Sequence, residues 1–285
     1  MYPRPFEYIK ATSLDDALSA LDSNEGAKVL AGGMSLLQMM KLRLFSPPAV
    51  IDIGSIDGLG EITDNGDHIS IGALATHSQV ASSALIQEHA EALAQAASWT
   101  GDVQVRNRGT CCGVMAHADT AADQTAAAIA VGATMVVQSS RNTRELAAAD
   151  FFVDALTSAL EPNEILTQLR IPKAGGASSY DKLGRRGGHS DYAVAGAAAW
   201  VSKSNGSIGD ARVALTGVGT KAALAAGSVE AIVGSDGGAD AIAAAADRAI
   251  EGVTVLEDLY GSEEYKAHLA KVYVRRALEQ AIAKA

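Results

Sequence analysis

The chain is poor in cysteine, aromatic residues and positive charge, and each shortage removes a class of function. Its two cysteines, Cys111 and Cys112, are neighbours. Adjacent thiols cannot staple a disulfide framework. Nor can two thiols alone hold an ordinary 2Fe–2S cluster, which takes four ligands at suitable spacing. Lys and Arg number 23 against 33 Asp and Glu, a net charge of −10, so nucleic acid is not expected as a partner. Aromatic residues make up 5 %, and the abundance of alanine and glycine instead predicts closely packed backbone and many tight turns. The uncharged stretch Gln124 to Ser140 contains Gln, Thr, Ser and Gly and falls short of a bilayer span. The N-terminus, MYPRPFEYIK, lacks an apolar signal core. These absences predict a cytoplasmic protein without a transmembrane segment. The GxGxxG and GKS/T nucleotide fingerprints and the GxSxG nucleophile elbow are also missing.

What remains is ordinary globular material: 285 residues, 48 % hydrophobic and 20 % charged, enough for one large domain or two ordinary ones. Ser13, with Asp15 and Asp16 behind it, predicts a capped helix through Leu21. Lys28–Ala31 reads as a strand, Gly32-Gly33 as its end, Ser35 as the cap of a helix from Leu36 to Leu44, and Ala49–Ile53 as a second strand. Asn65-Gly66 between two apolar runs predicts a hairpin. A helix is expected from about Ser78, with Leu85, Ala92, Leu93 and Ala96 on one face. The segment DVQVRNRGTCCGVMAHADTAAD has too little periodicity for a regular element. Helix passes to strand near Gly132, and Glu164–Ile171 is a strand closed by Pro172. Lys173–Ser179 reads as a linker, followed by strands at Ala193–Val201, Ala211–Val218 and Val253–Leu256. Helices at Ala239–Ile250 and from Ser262 complete an α+β chain in two parts, with a boundary near residue 175.

Chemistry has few places to reside. Two glycines let backbone approach a ligand closely, and a helix start offers free N–H groups and a positive dipole end. Ala31-Gly32-Gly33-Met34-Ser35-Leu36 has both features; a pyrophosphate cradle and a plain tight turn both fit it. The polar segment Gln104–Val114 must satisfy its backbone groups somewhere, through a ligand or through solvent. His117, Asp119 and Asp123 have no second His or Cys cluster beside them, so no metal is expected. His77, His89 and His189 are read as packed or solvated. Lys182, Arg185 and Arg186 make a basic spot, either a solvated face or a contact for an anionic group.

Taken in order, AGGMSLLQMMKLRLFSPPAVIDI, SIGALATHSQV, QVRNRGTCCGVMAHADTAAD, EILTQLRIP and YDKLGRRGGHSDYAVAG resemble the medium, FAD-binding subunit of molybdenum hydroxylases. This is the carbon monoxide, nicotine and xanthine dehydrogenase group, and the resemblance spans essentially the whole chain. It implies a two-subdomain FAD-binding domain of the vanillyl-alcohol oxidase (PCMH) type over residues 1–175, with subdomains of about 1–56 and 57–175. A small α+β C-terminal domain of the carbon monoxide dehydrogenase flavoprotein type follows over residues 176–285. Its implied cofactor contacts are Lys28, Val29, Leu30, Ala31, Gly32, Gly33, Met34, Ser35 and Leu36 in the first loop. In the second loop they are Thr110, Cys111, Cys112, Gly113 and Val114, together with Gly101, Asp123, Leu166 and Lys182. Tyr192, with Arg185 and Arg186, is implied at the flavin edge. No residue of the chain need act as acid or base toward the organic substrate.

The sequence departs from the family pattern where Cys112 replaces a glycine, Val114 an Asn or Ser, and Met34 a His, Gln or Thr. The resemblance also implies partners: a small iron–sulfur subunit with two 2Fe–2S clusters and a large subunit with the molybdenum cofactor, assembled as a dimer of heterotrimers. Electrons would pass from the clusters through FAD to an external acceptor. Two other readings are a self-sufficient FAD-dependent oxidase or reductase, and a scaffold subunit that has lost FAD.

Overall fold

The structure is a computed structural model that describes residues 1–188 and 190–285; His189 lies outside the described residues. The N-terminal segment runs β1 (Glu7–Lys10), α1 (Leu14–Ser23), β2 (Lys28–Leu30), α2 (Leu36–Leu42) and β3 (Ala49–Asp52). These strands form a parallel sheet in the order β1-β3-β2. Ser13 caps α1, its hydroxyl accepting from Asp16 N at 3.1 Å. Ser35 is not the cap expected for α2: its backbone is already helical and its side chain makes no cap bond.

The middle segment opens with the hairpin of β4 (Ile62–Asp64) and β5 (His68–Gly72), and Gly66 at the turn takes φ +89°. Three helices follow where one was expected: α3 (His77–Ser82), α4 (Ala84–His89) and α5 (Glu91–Ser98). The chain is extended at Ser83, which caps α4 by accepting from Ile86 N. The stretch expected to be irregular contains α6 (Val103–Arg106) and α7 (Cys111–His117). Each has its own cap: Asp102 accepts from Val105 N, and Thr110 from Gly113 N. Then come α8 (Asp123–Ala130), β6 (Thr134–Gln138), β7 (Thr143–Ala147), α9 (Ala148–Phe151), β8 (Phe152–Asp154), β9 (Thr157–Ser158) and β10 (Ile165–Pro172). Five of the strands make a sheet in the order β4-β5-β10-β6-β7. Ile69, Ile71, Met135, Val137, Leu169 and Ile171 are wholly buried on its inner face. Truncating any one of them to alanine costs about 2–5 kcal/mol.

The C-terminal segment contains β11 (Ala177–Gly184), β12 (Ala193–Ser204), β13 (Ser207–Thr216), β14 (Ala223–Leu224), α10 (Ala226–Ile232), α11 (Ala239–Asp247) and α12 (Glu263–Ile282). The strands form an antiparallel sheet in that order. Ala177–Ser179, expected in a linker, already belongs to β11, and Val253–Leu256 is not a strand. The alanines of β12 have a packing reason, because helices press on both faces of this sheet. Ala198, Ala214 and Tyr180 face α5 and α8 as part of the first core, whereas Ala195, Ala197, Ala199 and Val213 join the second core with α12. Small side chains let the helices approach closely. Every residue of α8 is buried, and the helix packs against α5, β12 and β13. Among the described residues, no helix is long and apolar enough to cross a membrane.

Candidate functional site

The two loops singled out in the sequence meet backbone to backbone. A Cβ built on Gly32 would lie 1.9 Å from the Arg108 carbonyl oxygen and 2.9 Å from Gly109 Cα, so only glycine allows this approach. Gly33 takes φ +75°, which turns the chain into α2. Leu37 N then bonds to Gly33 O and Met39 N to Ser35 O. Among the described residues, no protein group accepts from the amides of Gly33, Met34, Ser35 or Leu36. The half-buried loop Ala31–Leu36 is therefore a run of backbone donors without protein acceptors.

The second loop is braced from behind. A bridge pairs Thr76 with Thr110, through His77 N to Gly109 O and Cys111 N to Ala75 O, both 2.9 Å. Thr110 to Val114 are the cap and first turn of α7. Cys112 stands at a helical position, so a side chain here costs no backbone strain; its thiol donates to Ile71 O at 3.7 Å. Burial pushes the Cys112 thiol up to about 12 and raises Cys111 as well, so both are protonated packing groups. The Cys112 amide has no protein acceptor among the described residues. Val114 packs on the main core. Gly101 takes φ +54° ahead of α6, and its carbonyl accepts from Arg106 Nη1 at 2.7 Å.

The charged residues form a buried cluster across the seam with the C-terminal sheet. Lys182 Nζ lies 2.6 Å from Asp123 Oδ2, with side-chain exposures of 0 % and 4 %. Tyr180 donates its hydroxyl to Asp123 Oδ1 at 2.6 Å, and Lys182 also donates to the carbonyls of Asp191 and Trp99. Burial raises the Asp123 carboxyl against the pull of Lys182 and Tyr180, and the 2.6 Å contact is that of a buried ion pair. The expected basic spot is not a shared patch. Arg186 pairs with Asp191 at 2.7 Å, while Arg185 lies over the rings of Tyr192 (5.1 Å) and Tyr260 (4.4 Å). Tyr192 is 43 % exposed; its phenol is raised by burial and then by the charge of Asp119.

Leu166 lies in the core on β10, against which α7 packs. Lys28 is exposed, its ammonium 5.8 Å from the centre of the Phe45 ring. Gln124, Thr100 and Tyr180 complete the surroundings of the loops and escaped the sequence reading, while His77, read as packed or solvated, is packed among them. Their partners are 24 to 57 positions away, and no local spacing announces them. Among the described residues, no group of His, Cys, Asp and Glu is arranged to hold a metal ion.

The free amides of Gly33 to Leu36, set against the Arg108–Gly109 backbone and next to the free amide of Cys112, are main-chain donors of the kind that hold an anionic group. Residues 4–174 match the model of the FAD binding domain in molybdopterin dehydrogenase, and residues 178–281 that of the CO dehydrogenase flavoprotein C-terminal domain. The chain belongs to this family of oxidoreductase flavoprotein subunits, and its cofactor is FAD. It is 38 % identical to the carbon monoxide dehydrogenase medium chain of Hydrogenophaga pseudoflava, over 100 % of this chain and 99 % of that one. To the nicotine 6-hydroxylase medium subunit of Paenarthrobacter nicotinovorans it is 32 % identical, with 96 % of each covered. The solved carbon monoxide dehydrogenase of H. pseudoflava, in a form lacking the Mo-pyranopterin moiety, superposes with a TM-score of 0.95 at 39 % identity, covering 100 % of this chain and 99 % of that one.

Proposed function

We propose that the chain is the electron-transfer subunit of a cytoplasmic molybdenum hydroxylase, passing electrons from 2Fe–2S clusters on a small partner through FAD to an external acceptor. A large partner would carry the molybdenum cofactor and the organic or gaseous substrate, and two such heterotrimers would pair. The observation that carries the reading is the approach of Gly32 to Arg108 and Gly109 beside four unpaired amides. The names of the relatives, medium subunits of carbon monoxide dehydrogenase and nicotine hydroxylase, support the division of labour. Bound FAD supplies a centre that takes electrons singly and hands them on as a pair.

The chain's own contribution is binding and orientation. In this reading residues 1–175 are a domain of the vanillyl-alcohol oxidase (PCMH) type with subdomains 1–56 and 57–175, and residues 176–285 form the C-terminal domain. Lys28 through Leu36 and Thr110 through Val114 would hold the pyrophosphate, chiefly through the free amides of Gly33 to Leu36 and of Cys112. That is why Met34, Cys112 and Val114 are compatible with binding: none removes a backbone donor. Gly101 and Leu166 line the site, while Asp123 and Lys182 fix each other at its inner end. Tyr192, held by Arg185, stands at the flavin edge; Tyr192→Ala is then expected to change rates with external acceptors, and unchanged rates with every acceptor would exclude it.

The test is the visible spectrum of the protein purified with its native partners. Flavin bands overlaid on broad iron–sulfur absorption, with two further chains, support the proposal. Flavin bands on a lone chain that oxidises an organic substrate would replace it with a self-sufficient flavoenzyme, and a colourless protein with a scaffold that has lost FAD.

A further inference from the structure

His77 is 4 % exposed and stands directly behind the second loop. Its ring faces Gly109 so closely that a Cβ there would lie 2.6 Å from Nε2. Gln124 Nε2 donates to His77 Nδ1 at 2.8 Å and to Thr100 Oγ1 at 2.9 Å. The Thr100 hydroxyl commits its own proton to Ala96 O at 2.8 Å, so it can only accept from Gln124, which orients the amide with nitrogen inward. Nδ1 is therefore an acceptor, and the single proton of the neutral ring resides on Nε2. Burial, reinforced by the nearby Arg106 charge, pushes the imidazole down to about 4, so the neutral form holds at physiological pH. Among the described residues, the His77 side chain has its one hydrogen bond at Nδ1 and nothing accepts from Nε2, while Gln124 Oε1 is buried without a partner. A neutral N–H donor is thus held in one tautomer against the glycine on which Gly32 packs.

We propose that His77 binds the cofactor directly, donating its Nε2–H to an oxygen of the dinucleotide beside Gly109, with Gln124 and Thr100 as the positioning residues that fix its tautomer. The proposal rests on the FAD reading above. A neutral donor suits this place: it adds a directed bond without burying a cation, and the amides around it already supply positive potential.

The test compares FAD binding by the deflavinated full-length protein, in the assembly in which it purifies, for wild type, His77→Phe and His77→Gln. Phenylalanine keeps the ring volume and removes the donor, whereas glutamine returns an amide N–H toward the Nε2 position. The expected result is binding roughly tenfold to a hundredfold weaker for His77→Phe, with His77→Gln recovering most of the loss. Wild-type affinity in His77→Phe, or no recovery in His77→Gln, would overturn the proposal. Should the phenylalanine variant not fold, the tautomer of the wild-type ring read by ¹⁵N NMR decides the matter, since a proton on Nδ1 contradicts the assignment. A wild-type protein that binds no FAD at all would instead remove the reading on which the proposal rests.

Discussion

Gly32→Ala probes the narrowest point of the site. The new Cβ would meet three backbone atoms: Arg108 O at 1.9 Å, Arg108 C at 2.8 Å and Gly109 Cα at 2.9 Å. No rotamer change can relieve a clash with main chain. Real Cβ contacts essentially never fall under 3.0 Å, so the two loops must part by about 1.1 Å, the difference from the 1.9 Å contact. Overpacking of this kind costs about 1–3 kcal/mol, a fall of roughly 2–12 °C in melting temperature for a chain of this size. The same displacement moves the amides of Gly33 to Leu36 away from the second loop. Losing one charge-assisted bond weakens FAD binding roughly tenfold to a hundredfold. Both quantities are accessible with the deflavinated protein, by differential scanning calorimetry and by titration with FAD. Gly60→Ala is the control, because its Cβ would meet only Leu74 Cβ at an ordinary 3.8 Å. A Gly32→Ala protein that melts with wild type and binds FAD equally well would refute the two-loop architecture.

Other perturbations address the surroundings. Lys182→Met leaves Asp123 buried without its cation and is expected to cost about 3–5 kcal/mol in denaturant unfolding, much of it recovered in the double variant with Asp123→Asn. The folded-state pKa of His77 is depressed from 6.5 to about 4. The stability linked to this ring is therefore complete above pH 6.5 and lost as pH falls toward 4, by about 3 kcal/mol. His77→Phe should lack that part of the pH dependence, and identical profiles would exclude it. Glu164 is held below its ordinary 4.5 chiefly by its hydrogen bond from Arg144. Its contribution is present above that value and lost as pH falls through the lowered pKa, so wild type should lose its advantage over Glu164→Gln in acid melts.

Local chemistry made some of this legible in advance. Ser13 and Ser262 announce helices because a cap is a contact over three residues, and Asn65-Gly66 announces its turn by the φ it tolerates. Gly32-Gly33 announced the turn into α2 for the same reason, since Gly33 takes φ +75°. β1 was invisible because EYIK has an exposed pattern and owes its strand to pairing with β3, more than forty positions on. The short helices α6 and α7 were hidden in a polar stretch whose caps, Asp102 and Thr110, each support only one or two turns. Ser35 misled for the opposite reason: it has the chemistry of a cap, yet its helical backbone makes no cap bond. The resemblance implied Asp123 and Lys182 only as separate cofactor contacts, and their pairing stayed hidden because nothing within either segment points to the other across 59 positions.

The first turn of α8 places two consecutive side chains in opposite service. Asp123 reaches Tyr180 and Lys182 in the C-terminal sheet, and Gln124 reaches His77 and Thr100 behind the second loop. The preceding carbonyls of Thr120 and Ala121 accept from Gly217 N, just past the end of β13, and from Ala193 N of β12. The segment that matches the FAD binding domain is therefore not a portable cassette. Cut after residue 175, it would retain both loops yet lose the anchor of the helix that braces them. A graft of this segment into another scaffold must bring the C-terminal sheet with it, or rebuild a buried cation opposite Asp123.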